Sequence, residues 1–72
     1  MLLGENIKKF REYKGLTQVQ LAERIGVQQS YIAKLEKAVK SPTIMMVKAI
    51  SKELDCKLED LIYEDNQDST IA

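Results

Sequence analysis

Apolar residues in this chain recur every three or four positions almost from end to end, and short breaks cut the pattern into brief pieces. That spacing is the signature of helices with one buried face, and no stretch shows the two-residue alternation of a strand. Leu3, Ile7 and Phe10 lie on one stripe, then Leu21, Ala22 and Ile25, then Ile32 and Leu35, then Ile44, Val47, Ile50 and Leu54. The breaks carry their own chemistry. Gly15 and Gly26 fall where a helix C-terminus calls for positive φ. Thr17 and Gln20 form a capping pair, the hydroxyl capping while the amide reaches back. Ser41-Pro42-Thr43 reads as a loop followed by a cap. These signals predict helices over roughly 4–14, 17–24, 28–36, 44–54 and 58–63. The expected fold is all-α, a compact five-helix bundle over residues 1–64. Residues 65–72 are polar and acidic and are expected to form a flexible tail.

Composition narrows what such a bundle can do. The chain has 72 residues, no His and one Cys. A domain of this size hides only about 60% of its unfolded surface, so its helices must pack efficiently. Without His there is no His-based acid–base pair, and one Cys supplies neither an internal disulfide nor a Cys/His zinc site. Cys56 reads as a small buried hydrophobe in a reducing compartment. No nucleophile–base pair, metal cluster or phosphate loop is visible. No enzyme, no catalytic residue, no metal and no cofactor are therefore expected. The longest strictly apolar run is Ile44–Val47, too short for a membrane span. The first residues lack a secretory apolar region, so the expected location is cytoplasmic.

Eleven Lys/Arg balance eleven Asp/Glu, so the formal net charge is zero. The total hides a strong asymmetry. Residues 1–52 carry ten Lys/Arg against four acids, a surplus of six positive charges. Residues 53–72 carry one Lys against seven acids, a surplus of six negative charges. A basic working surface with an acidic end fits a nucleic-acid partner.

The second and third predicted helices are joined only by Ile25-Gly26-Val27. A short Gly-containing turn at a steep angle is helix-turn-helix geometry, and it leaves the third helix protruding. The DNA major groove admits one helix. Gln28, Gln29 and Ser30 open that helix, and Lys34 lies one turn further on. A Gln amide donates and accepts at once, matching adenine N6 and N7, while Lys34 suits guanine or phosphate. The bland alternative is that these are solvated surface residues of an ordinary bundle.

Gly4 to Leu61 resemble the Cro/CI-type helix-turn-helix family, also called Xre-type. The resembling residues are Ile7, Arg11, Gly15-Leu16-Thr17-Gln18, Leu21-Ala22-Glu23, Ile25-Gly26-Val27, Ile32, Leu35-Glu36, Ser41-Pro42 and Ile50 through Leu54. The resemblance implies a lambda-repressor-like DNA-binding domain and a sequence-specific transcriptional regulator, a repressor acting as a homodimer on double-stranded DNA. By the same resemblance, Gln28, Gln29, Ser30 and Lys34 match base-reading positions. Thr17, Gln18 and Tyr31 match the phosphate-contacting region, with Gln18 also bracing Gln29. Lys37 and Lys40, in the loop facing the DNA backbone, are further phosphate candidates. Arg11 and Glu36 match a partly buried structural ion pair. Two positions depart from the family pattern. Ala38 stands where Gly is frequent, and because a left-handed Ala costs roughly 1 kcal/mol or more, the loop there is expected to take another shape. Asp55 also replaces a frequent Gly, but Asp tolerates that region better.

The sequence shows no large second domain to dimerise through. The expected interface therefore draws on the fourth and fifth helices, through Met45, Met46, Leu58, Leu61 and Ile62. Tyr63 adds to their surplus of apolar surface. The alternative is that Leu58 and Leu61 only close the monomer core. A rival function is an antitoxin or adaptor of the same fold that binds a protein partner, with Glu59-Asp60 and Glu64-Asp65 facing a basic surface.

Overall fold

The computed structural model describes residues 3–62. Within them lie five α-helices: α1 (Leu3–Tyr13), α2 (Gln18–Ile25), α3 (Gln29–Glu36), α4 (Ile44–Glu53) and α5 (Leu58–Ile62). Tyr63 and the acidic stretch 65–72 lie outside the described residues. The helix expected over 28–36 starts one residue later. Gln28 stands just before α3 as its N-cap, with extended φ of −85° and ψ of 151°.

The helix starts follow the local chemistry. Thr17 Oγ1 accepts from the Gln20 backbone N–H at 3.0 Å, and the Thr17 backbone N–H donates to Gln20 Oε1 at 2.8 Å. Both partners of the capping box are thus in place. Thr43 caps α4 by accepting from the Met46 N–H at 3.1 Å.

The helix ends share one geometry. Each of the first four helices closes on one left-handed residue: Gly15 (φ 75°), Gly26 (φ 87°), Ala38 (φ 63°) and Asp55 (φ 55°). Ala38 corrects the sequence expectation, because the loop keeps the left-handed close without the glycine. Two hydrogen bonds offset the steric penalty there. The Ala38 N–H donates to Leu35 O at 3.1 Å and the Val39 N–H to Lys34 O at 2.9 Å, closing the helix end on itself in the manner of a Schellman motif. The side chain is exposed, so removing it sacrifices little packing. Ala38→Gly is expected to stabilise the domain by about 0.5–1 kcal/mol, the left-handed penalty of Ala less the extra chain entropy of Gly. Urea unfolding checks this; an unchanged or lower midpoint would count against a strained Ala38.

The core consists of Ile7, Leu21, Ala22, Ile32, Leu35, Val47, Ile50, Leu54 and Leu61. α3 packs on α1 and α2, α4 on α2 and α5, and α5 closes on α1. Two residues that sequence reasoning passed over make these closures possible. Gly4 sits where α1 presses on the end of α3, and a Cβ there would run into the carbonyls of Leu35 and Glu36. Asn6 is buried, and its Nδ2 donates to Leu61 O at 2.7 Å. That bond ties the start of α1 to the backbone of α5.

Two placements in α4 and α5 differ from expectation. The periodic stripe puts Ile44 inward, yet it is 60% exposed. It is the first residue of α4, where the helix begins at the edge of the bundle. Leu61, expected in the dimer interface, is fully buried in the monomer core, because α5 folds back onto α1. Among the described residues, no helix is long and apolar enough to cross a membrane.

Candidate nucleic-acid interface

The turn between α2 and α3 is held by backbone. The N–H groups of Gly26 and Val27 both donate to Ala22 O, at 2.8 and 3.0 Å. Glycine supplies the left-handed conformation that reverses the chain at once. On α3, Ile32 and Leu35 fill the core, while Gln29, Ser30 and Lys34 are exposed. Anchored by two apolar residues, the helix presents its polar start to solvent.

The side chains at that start are tied to the scaffold. Gln29 Nε2 donates to Gln18 Oε1 at 2.6 Å. Gln18 Nε2 donates in turn to Glu36 Oε1 at 2.9 Å. Glu36 receives Arg11 Nε on Oε2 at 2.6 Å and Arg11 Nη2 on Oε1 at 3.1 Å. Arg11 Nη1 also donates to Leu16 O at 2.7 Å. The Arg11 and Glu36 side chains are only 8% and 3% exposed, so this is a desolvated, bidentate pair. The hydrogen bond from Arg11 to Glu36 raises the guanidinium pKa further, against the opposing effect of burial. The link from Gln18 to Glu36 has no counterpart in the sequence reading. The resemblance treats the glutamine pair and the ion pair as separate features, and here they form one chain.

Beside α3 lies an open groove of about 440 Å³. It gathers Gln28, Ser30, Tyr31, Lys34 and Lys40 around the apolar side chains of Val27 and Met46. Lys40 Nζ stands 5.9 Å from the centre of the Tyr31 ring, within cation–π reach. Lys37, at the C-cap of α3, and Thr17, engaged in the α2 capping box, do not line this groove.

Among the described residues no cluster of His, Cys, Asp or Glu has metal-holding geometry. Cys56 is a free thiol, half-buried against the core. Burial, together with Asp60 and Asp55, pushes its thiol pKa up, which disfavours the nucleophilic thiolate.

Comparison with known proteins places this arrangement. The chain is 31% identical over 67 residues to the HTH-type transcriptional regulator SinR of Bacillus licheniformis, covering 92% of this chain and 60% of that protein. It therefore spans somewhat under two thirds of that relative's length. It is 36% identical over 66 residues to an uncharacterized HTH-type transcriptional regulator of Methanocaldococcus jannaschii, covering 90% of this chain and 100% of that protein. Its fold is similar to that of SinR, described as the master regulator for biofilm formation, in a crystal structure with DNA. The TM-score is 0.79 at 32% identity, over 85% of this chain and 98% of that one. A helix-turn-helix family model matches residues 7–61, and the chain belongs to the Cro/CI-type, or Xre-type, helix-turn-helix family.

Proposed function

We propose that this chain is a sequence-specific DNA-binding transcriptional regulator, a repressor, that sets α3 in the major groove of double-stranded DNA. The observation that carries this reading is the start of α3. There an exposed Gln29 amide is held by Gln18, and Ser30 and Lys34 are exposed along the same short helix. The complex of the similar SinR domain with DNA supports it. Base choice falls to Gln28, Gln29, Ser30 and Lys34. Phosphate contact falls to Gln18, Tyr31, Lys37 and Lys40, with Thr17 at the start of α2, where backbone N–H groups attract anions. The role is binding rather than catalysis, and its place is the cytoplasm.

Selection of bound duplexes from a random pool tests this directly. The expected result is one enriched sequence with two-fold symmetry and half-sites about 34 Å apart. A pool that stays random would favour the protein-binding alternative instead. Gln29→Ala is expected to lose about 1–3 kcal/mol of discrimination at one base position of the selected site. An equal loss on every sequence would remove the base-reading role.

We also assign the dimer contact to α4 and α5. Met45 is 73% exposed, Ile44 60% and Ile62 39%, and Met46 and Leu58 are only partly buried. Sedimentation at micromolar concentration is expected to show a dimer, with Met45→Lys shifting it to monomer. A strict monomer with and without DNA would sink this assignment.

A further inference from the structure

The chain of bonds that ends at Gln29 has a direction, and Glu36 sets it. A carboxylate only accepts hydrogen bonds. Gln18 must therefore turn its Nε2 toward Glu36, as it does at 2.9 Å. This leaves Gln18 Oε1 to accept, so Gln29 must turn its own Nε2 inward, at 2.6 Å. One N–H and the carbonyl oxygen of Gln29 then remain for a partner. A donor beside an acceptor matches adenine N7 and N6–H; guanine presents two acceptors, N7 and O6. If residue 36 had an amide, its oxygen would keep the shorter Arg11 Nε bond in the place of Oε2, and its nitrogen would stand in the place of Oε1, facing Gln18 at the cost of the longer Arg11 Nη2 contact. Both glutamines would then reverse, and Gln29 would present two N–H donors, the pattern suited to guanine.

We infer that Glu36 is a specificity-determining positioning residue: without touching DNA, its acceptor-only carboxylate orients the Gln29 amide for adenine over guanine. The inference rests on the reading of Gln29 as a base contact. Arg11 holds Glu36 through both carboxylate oxygens, sharing Oε1 with Gln18, and Gln18 transmits the orientation.

The test starts from the duplex selected by the unmodified chain and the base position whose preference Gln29→Ala abolishes. Dissociation constants are then measured with adenine and with guanine at that position. The unmodified chain is expected to prefer adenine by roughly 5- to 150-fold, the range of a good bidentate pair. Glu36→Gln is expected to bring that ratio to unity or reverse it. Glu36→Asp keeps an acceptor-only group and is expected to retain the preference while total affinity falls. Gln18→Met leaves the Arg11–Glu36 pair intact and is expected to erase the preference by cutting the link; if Glu36→Gln does not fold, this variant decides. An unchanged adenine-to-guanine ratio in Glu36→Gln or Gln18→Met, with affinity lowered equally on both duplexes, overturns the proposal and leaves Glu36 as a structural clamp. If Gln29→Ala alters no base preference at all, the base-contact reading itself falls, and the proposal with it.

Discussion

Arg11→Met is expected to destabilise the domain by about 3–5 kcal/mol, the usual result of stranding one member of a buried ion pair. The native free energy of a small domain is about 5–15 kcal/mol, so the variant should be marginal or unfolded. Three contacts vanish together: two to the Glu36 carboxylate and one to Leu16 O. The heavier penalty is the carboxylate left behind, 3% exposed, with Gln18 as its remaining side-chain donor. Arg11→Lys should recover part of the loss, because an ammonium keeps the charge but lacks the planar fork. Replacing both partners, as in Arg11→Met with Glu36→Leu, should recover more, since no charge is then stranded. Urea midpoints for the three variants and the unmodified chain give the ordering. A midpoint for Arg11→Met equal to that of the unmodified chain would refute the pair's structural role. The pH dependence follows from the raised pKa of Arg11. A raised folded-state value gives stability that is complete below the unfolded pKa and lost as pH rises through the folded one. For Arg11 that loss lies in strong alkali, so its contribution is constant across the neutral range.

Leu61→Ala is expected to cost about 2–5 kcal/mol, the range for large-to-small changes in a packed core. In a domain of about 60–100 residues each kcal/mol shifts Tm by about 4–8 °C, so thermal unfolding should fall by roughly 10 °C or more. The bond from Asn6 to the Leu61 carbonyl is to backbone and survives the change. What is lost is the side chain that seals α5 over α1. Ile62, the next residue, is 39% exposed. Ile62→Ala should change stability by no more than about 0.5 kcal/mol and should weaken self-association instead. This contrast separates core from interface within one short helix. A small stability loss for Leu61→Ala together with a loss of dimer would return Leu61 to the interface.

The two residues also show where sequence reasoning stops. Helical spacing selects Ile7, Leu21, Ile32, Leu35, Val47, Ile50 and Leu54 for the core, and each of them is buried. α5 spans only Leu58–Ile62, little more than one turn, so its pattern fits several faces equally. Ile44 departs for a related reason: it continues the α4 stripe in register, yet at the first residue of the helix the core has already ended. On the interface side, the exposed glutamines and lysines are readable as a polar helix start. The resemblance pairs Gln18 with Gln29 and Arg11 with Glu36. It does not join the two pairs, because the joining bond runs from the start of α2 to the end of α3.

The sequence by itself determined the helix class, most of the core and the helix boundaries. Caps and closes are local: Thr17 with Gln20, Thr43 with Met46, and Gly15 and Gly26 at their turns all act within a few residues, so their chemistry can be read along the chain. The tertiary structure decided what depends on distant approach. It set Gly4 against the end of α3, Asn6 on a carbonyl 55 residues away, and Leu61 inside rather than outside. It also joined Arg11, Glu36, Gln18 and Gln29 into one hydrogen-bonded chain. Each of these rests on where a carbonyl, a carboxylate or a packed face arrives after the helices meet, and periodicity carries no record of that.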